Sequence, residues 1–528
     1  MREQSGMPAR SYKRRRILTA GAGLGLSALA AREIYRLGAP PEGAKVCEPA
    51  YPTPAGNPAP GPELPFPVLQ RGGTVDDASC LNRTPILAIT APGSVEGVRA
   101  MLDYARNRGL KITAAGARHS MGGQAFSRNG LVFDTSAWNR IEVDPATKIL
   151  TVGSGAKWHD ILAYLDARGL SVKAMQSISV FTVGGTLSVN AHGVAHLPGS
   201  IAPTVRSLRL MLSDGSLATA SPTENAELFR HVLGGYGLFA LILEAQLEVV
   251  DNELYLPNVD YMDYRRFPSY FTQRIQGRSD IGLFYGRLSV SPSSWLREAA
   301  VHSYHRVGGP QDCPPLTPDT SVRLERTVFN FSKTGAFGRW VRWNAERRFA
   351  DTLDCQSRNK AIGTDAACTT SRNQQMDDRM EYLQNRLRDT DILQEYFIPQ
   401  DRFGDFVDGL RAVVARERAN LLNVTIRSVV PDTITALPYA PRECFALVLY
   451  FNQELSTAAS QVLERTTRAL IDLAVHLGGR FYLPYQLYYS ATQFHAAYPE
   501  ATAFFSTKRK YDPLNLLSNA FHEKYGTS

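Results

Sequence analysis

Apolar and polar positions along the chain change period several times, and those changes mark its elements. Ile86 to Thr90 reads as a short strand ending at Pro92-Gly93-Ser94. From Val95 to Arg108 the apolar residues Val98, Met101, Leu102 and Ala105 recur at helical spacing, and Gly109 stops the run. Leu110 to Thr113 is the next strand, which predicts a βαβ arrangement with short connections. Gly130 to Asp134 reads as another strand. Asn139 to Val143 and Ile149 to Val152 read as a hairpin around Asp144-Pro145-Ala146-Thr147. Trp158 to Arg168 is an amphipathic helix, and Ser207 to Leu212 and Ala240 to Val250 are strands that close the unit.

Beyond Asp251 the character changes. Strand-like runs (Ile281 to Tyr285, Phe445 to Phe451) alternate with helical ones at Met376 to Leu387, Arg402 to Arg416 and Thr457 to Leu477. Asp312 to Thr320 and Ser357 to Ser371 read as loops. Strands mixed with long helices predict an α+β domain in which helices cover an antiparallel sheet. A chain of 528 residues exceeds what one core usually serves, so at least two domains are expected. They fall at residues 81–250 and 251–493, with a segment over 494–528 returning to the first.

The N-terminus stands apart. Lys13-Arg14-Arg15-Arg16 precedes the weakly apolar run Ile17 to Ala31, too short to span a bilayer and ending in small residues. Residues 1–31 therefore resemble a twin-arginine export signal, implying the twin-arginine machinery as a partner and a periplasmic or outer-face location. Residues 32–80, with nine prolines between positions 38 and 66, read as a linker. Otherwise Lys and Arg are dispersed except around Lys508 to Lys510. The net charge of +8 thus makes no clustered face for nucleic acid. Six cysteines, Cys47, Cys80, Cys313, Cys355, Cys368 and Cys444, show no metal-ligand spacing. Their even number permits disulfides in an exported protein.

Two small-residue segments carry the chemistry. Ile112 to Phe126 (ITAAGARHSMGGQAF) leads from a strand into a turn with little side-chain cover, where free backbone N–H groups suit a pyrophosphate. The turn centres on His119, whose neutral imidazole is nucleophilic enough to tether a flat electrophilic cofactor. Phe181 to Gly193 (FTVGGTLSVNAHG) offers the hydroxyls of Thr182, Thr186 and Ser188, and Gly184-Gly185 permits close passage of a ring or phosphate. His192 and His196 are four apart, but without an HExxH pattern or an acidic neighbour no metal site is expected.

The order of GARHSMGGQAF, SISVFTVGGTLSVNAHG, SDGSL, LGGYGLFALI and KRKYDPLNLLS resembles the vanillyl-alcohol oxidase/PCMH family of FAD-dependent oxidoreductases. The HSMGGQAF stretch is similar to the flavin-linking segment of cytokinin dehydrogenases and sugar-alcohol oxidases. The resemblance implies a two-subdomain PCMH-type FAD-binding domain followed by a substrate domain, with FAD held covalently through His119. Ala115, Gly116, Ala117, Arg118, Ser120 and Gln124 would line one side of FAD. Ser179, Thr182, Gly184, Gly185, Ser188 and His192 would grip the other, and Ile242 would make a backbone contact to the adenine end. Residues 478–513 are similar in layout to decaprenylphosphoryl-ribose oxidases, with Tyr485 where those enzymes carry a lysine and with a linking His that they lack.

The implied reaction takes a hydride from a CH–OH or CH–NH group of a small alcohol, sugar or amine, with oxygen or a redox carrier as acceptor. Tyr485, Arg427 and His196 are the candidate catalytic residues. Two alternatives are a non-covalent FAD reductase or epimerisation partner acting on a sugar-lipid or sterol-like substrate, and a flavin-binding protein without turnover.

Overall fold

The computed structural model describes residues 64–317, 322–348, 368–377 and 389–526. The export signal, most of the Pro-rich segment, Cys47, Cys355 and most of the helix expected over 376–387 lie outside those residues.

The first unit is built on two sheets. In one, the strands Ala88–Thr90 and Ile112–Ala115 run parallel to Leu131–Asp134 on either side of it. They are joined by the helix Val95–Arg108, which starts where Ser94 accepts a hydrogen bond from Gly97 N–H and turns Val98, Met101, Leu102 and Ala105 into the core. A fourth strand, Val68–Arg71, pairs antiparallel to Ala88–Thr90, and Phe66 is buried beneath it. The first unit therefore begins about fifteen residues before Leu81. The nearby prolines and glycines hid a strand of only four residues, whose alternation is too brief to register as a pattern.

The second sheet is antiparallel, in the order Leu217–Ala220, Val205–Met211, Leu241–Asp251, Ile149–Gly153, Ile141–Asp144. The short strand Leu170–Val172 pairs with the far end of Leu241–Asp251. The helix Trp158–Asp166 buries Trp158, Ile161, Leu162 and Leu165 against this sheet's side of the core.

From Leu254 to Phe481 the chain forms one eight-stranded antiparallel sheet with Leu254–Asp263, Glu298–Gly308, Ile281–Leu288, Asn420–Val429, Cys444–Glu454 and Asp389–Pro399 at its centre. Cys444–Glu454 is buried along almost its whole length, as a strand covered on both faces must be. The helices Phe403–Glu417 and Thr457–His476 pack together and cover one face. The other face turns toward the first unit. The chain then returns: Ile112 N–H donates to Leu516 O at 2.8 Å, and Leu517 is buried in the core under the parallel strands.

Candidate active site

A cleft runs between the two sheets of the first unit and opens onto the face of the large sheet. Its first wall is the turn after Ile112–Ala115. Among the described residues, the backbone N–H groups of Ala117, His119 and Ser120 find no protein acceptor. Arg118 between them takes a left-handed φ of 57°. Successive amides turned inward by such a residue form an anion-binding concavity. The second wall is the short helix Val183–Ser188, whose Thr182 side chain accepts from Gly185 N–H. The walls nearly touch. A Cβ at Gly116 would lie 1.9 Å from Thr182 Oγ1, and one at Gly184 would lie 2.9 Å from Ser154 Cβ. Ser154 Oγ is buried on this wall with no hydrogen-bond partner among the described residues. Free amides, an unpartnered hydroxyl and glycines without clearance for a side chain fit a cofactor with a pyrophosphate and a flat ring.

His119 lies half-buried on the wall, its ring 4.4 Å from that of Phe181. Burial lowers its pKa to about 4, and neither ring nitrogen bonds to a described residue. It is a neutral imidazole with its lone pair free. The turn is anchored from behind. Gln124 Nε2 donates to the carbonyls of Leu483 and Tyr485, its Oε1 accepts from Gly122 N–H, and Met121 N–H donates to Pro484 O. Asp77, fully buried, accepts from Gly123 N–H, Asn82 Nδ2 and Ser79.

The inner end of the cleft is polar. His192 Nε2 stands 2.6 Å from Glu395 Oε1, both side chains about 1% exposed. Tyr485 donates from its hydroxyl to Glu395 Oε2 at 3.3 Å. Arg427, two strands away in the same sheet, donates to Ser177 Oγ and to His192 O, and its Nε is buried without a partner among the described residues. Burial alone would raise the Glu395 carboxyl, but His192 and Arg427 outweigh it, so its pKa falls below the ordinary value. Burial beside that carboxylate raises the Tyr485 phenol well above its ordinary range. The cluster pairs an ionised acceptor with a protonated hydroxyl.

Of the residues singled out in the sequence, Ala115, Gly116, Ala117, Arg118, His119, Ser120, Gln124, Thr182, Gly184, Gly185, Ser188, His192, Ile242, Arg427 and Tyr485 line this cleft. Two do not. Ser179 is buried outside it, donating to Asp377 Oδ1 at 2.7 Å. His196 is carried away because Ala195 pairs with Leu283 and Phe284 N–H donates to Val194 O. Its ring packs against Phe271 and Phe284, with Nδ1 2.9 Å from Ser428 Oγ. It is a core histidine and not part of the cleft. Glu395 escaped the sequence reading. Its signal is an acid which, with Gln394, interrupts the mostly apolar run Ile392 to Ile398, a position acids rarely occupy without a partner.

Residues 86–221 match the family model of the FAD binding domain. Relatives include a D-arabinono-1,4-lactone oxidase of Yarrowia lipolytica, 31% identical over 30% of this chain and 31% of its own length. Cytokinin dehydrogenase 2 of Arabidopsis thaliana is 29% identical over 37% of this chain and 40% of its own. Decaprenylphosphoryl-beta-D-ribose oxidase of Mycolicibacterium smegmatis is 32% identical over 30% and 35%. The chain thus spans well under half the length of these curated relatives. Residues 86–221 are therefore an FAD binding domain, similar to the matching region of these oxidoreductases.

Proposed function

We propose that this protein oxidises a CH–OH or CH–NH group of a small alcohol, sugar or amine, using FAD tethered through His119. The observation that carries the reading is the cleft itself. A neutral imidazole sits on its cradle wall, and an ionised Glu395 paired with His192 and Tyr485 lies at its inner end. FAD, once bound, supplies a two-electron acceptor for the substrate hydride. The turn at Ala117 to Ser120 and the hydroxyls of Thr182 and Ser154 would hold the pyrophosphate and ring, beside Ser188, whose hydroxyl donates to Gly184 O.

Glu395 takes the proton from the substrate heteroatom, and His192 and Arg427 keep that carboxylate ionised until it does. Tyr485, held protonated, keeps its O–H on Glu395 Oε2 and so orients that carboxylate toward the substrate. Tyr482 and Val448 line the same end and exclude water. His119 supplies the nucleophilic nitrogen of the tether.

The electron acceptor is oxygen or a redox carrier. We further propose export through the twin-arginine route. In support, Cys80 and Cys368 are disulfide-bonded, which suits an oxidising compartment.

Intact mass after denaturation tests the tether. An FAD adduct on the wild type that is absent from His119→Ala is the expected result, and an unmodified wild-type mass rejects it. Anaerobic mixing with a panel of alcohols, sugars and amines tests the reaction: the true substrate class bleaches the flavin band, and a panel that leaves it unchanged favours a binding protein without turnover.

A further inference from the structure

The dispersal of positive charge expected from the sequence fails in one place. Residues 326–348 hold six Lys or Arg and a single acid, Glu346, in a chain whose whole net charge is +8. This segment ends one helix, Val322–Ser332, and forms a second over residues 336–348. Together they lie on the large sheet on the same side as the cleft but farther along. Phe329 packs edge-on to Tyr450, and Arg342 donates to Leu422 O.

The second helix buries Arg342 and Trp343 on its inner face. Its outer stripe is Phe337, Trp340, Asn344, Arg347 and Arg348, spaced three and four residues apart. Phe337 is 67% exposed and Trp340 44%, and their rings stack 5.9 Å apart at 16°. They are the only aromatic residues among the exposed large hydrophobics of the described chain. Scattered exposed leucines need no explanation, but two stacked aromatics on one helix face mark a surface that something else covers.

The charge on this face selects the occupant. Arg348 is exposed with no partner among the described residues, and Arg347 is half-exposed with a single carboxylate, Glu298, beside it. A face with two aromatics at one end and two arginines at the other matches the boundary of an anionic lipid layer. Aromatic rings settle at headgroup depth, and guanidinium groups reach phosphates while their stems stay against the apolar part. We propose that the outer face of helix 336–348 docks this protein on an anionic membrane surface. The helix lies in the plane of that surface without crossing it, and no described helix is long and apolar enough to cross.

The test is co-sedimentation of the full-length protein with vesicles of phosphatidylglycerol and phosphatidylcholine, and with phosphatidylcholine alone. Binding is expected only to the anionic vesicles and is expected to weaken as salt rises. Phe337→Ser with Trp340→Ser should weaken it on the order of tenfold or more, since two large apolar groups leave the lipid. Arg347→Glu with Arg348→Glu should weaken it comparably, and its loss should be greatest at low salt. Phe337, Trp340 and Arg348 face solvent, whereas Arg347 pairs with Glu298 and lies over Tyr261. The aromatic double variant and Arg348→Glu alone should therefore keep the wild-type melting temperature and flavin absorbance, which separates lost docking from lost folding. Three results overturn the proposal. One is wild-type binding retained by the aromatic double variant. Another is binding abolished only by removing residues 1–31. The third is a protein that dimerises through Phe337 and Trp340 and ignores vesicles.

Discussion

Gln124 and Tyr485 are 361 residues apart in sequence, yet the Gln124 amide donates to the Tyr485 carbonyl at 3.0 Å. That bond joins the turn that holds His119 to the loop that carries the phenol at the other end of the cleft. The two halves of the site are therefore fixed in one frame. Gln124→Ala would strand two buried carbonyls and the Gly122 amide, at a cost of about 1–3 kcal/mol. Calorimetry should show a lower melting temperature, and the purified variant should carry less flavin per chain.

Gly116 faces Thr182 with no room for a methyl group. Gly116→Ala must push the two cradle walls apart, costing about 1–3 kcal/mol as overpacking does. The ratio of flavin to protein absorbance should collapse. Gly404→Ala is the matched control, because an added Cβ at that helical position meets nothing within 4 Å. It should leave flavin content intact and melting temperature equal or slightly higher.

Asp77 gives a pH signature. Burial lifts its carboxyl to about 7, so the folded chain keeps a proton that the unfolded chain releases near pH 4. Between those values the folded state binds more protons, and stability falls as pH rises, by up to about 1.4 kcal/mol per pH unit. Above about pH 7 both states are ionised and this contribution stops changing. The buried histidines, His119 among them, act in the opposite sense between about pH 4 and 6.5, so the descent should appear in the difference between wild-type and Asp77→Asn melting temperatures from pH 4 to 8. That variant keeps the shape and does not titrate.

Glu395→Gln preserves size and removes the proton acceptor. Turnover should fall by about 10²–10⁴-fold with flavin content unchanged. Tyr485→Phe, which leaves the carboxylate in place, should cost less, on the order of tenfold. Stopped-flow measurement of flavin reduction separates the two: equal losses for both variants would mean that Glu395 does not take the proton.

Local pattern was enough for the elements that bury one face. The helix with Val98, Met101, Leu102 and Ala105 inward, the hairpin around Asp144, and the long helices after Arg402 and Ser456 all follow from spacing and caps. The turn around His119 was legible because small residues beside a lone imidazole are rare enough to notice. What escaped depends on distant pairing. Val68–Arg71 is a strand only because Ala88–Thr90 lies beside it, and the Asp76 to Asn82 segment matters through distant partners such as Gly123, Met121 and Gln486. Glu395 and His192 lie about two hundred residues apart, and nothing local to either names the other. His196 misled for the same reason, since the strand Ile281–Leu288 decides where it points.

The edge beside Ile112 is completed by Leu516 to Ser518, residues made some four hundred positions later. A ribosome therefore makes some four hundred further residues before the strand leading into the His119 turn acquires its last neighbour. Until then the cradle lacks one side of its support, and early-made residues wait on late-made ones. Cofactor loading is thus timed by the topology: the half of the protein that holds FAD is synthesised first and becomes competent last.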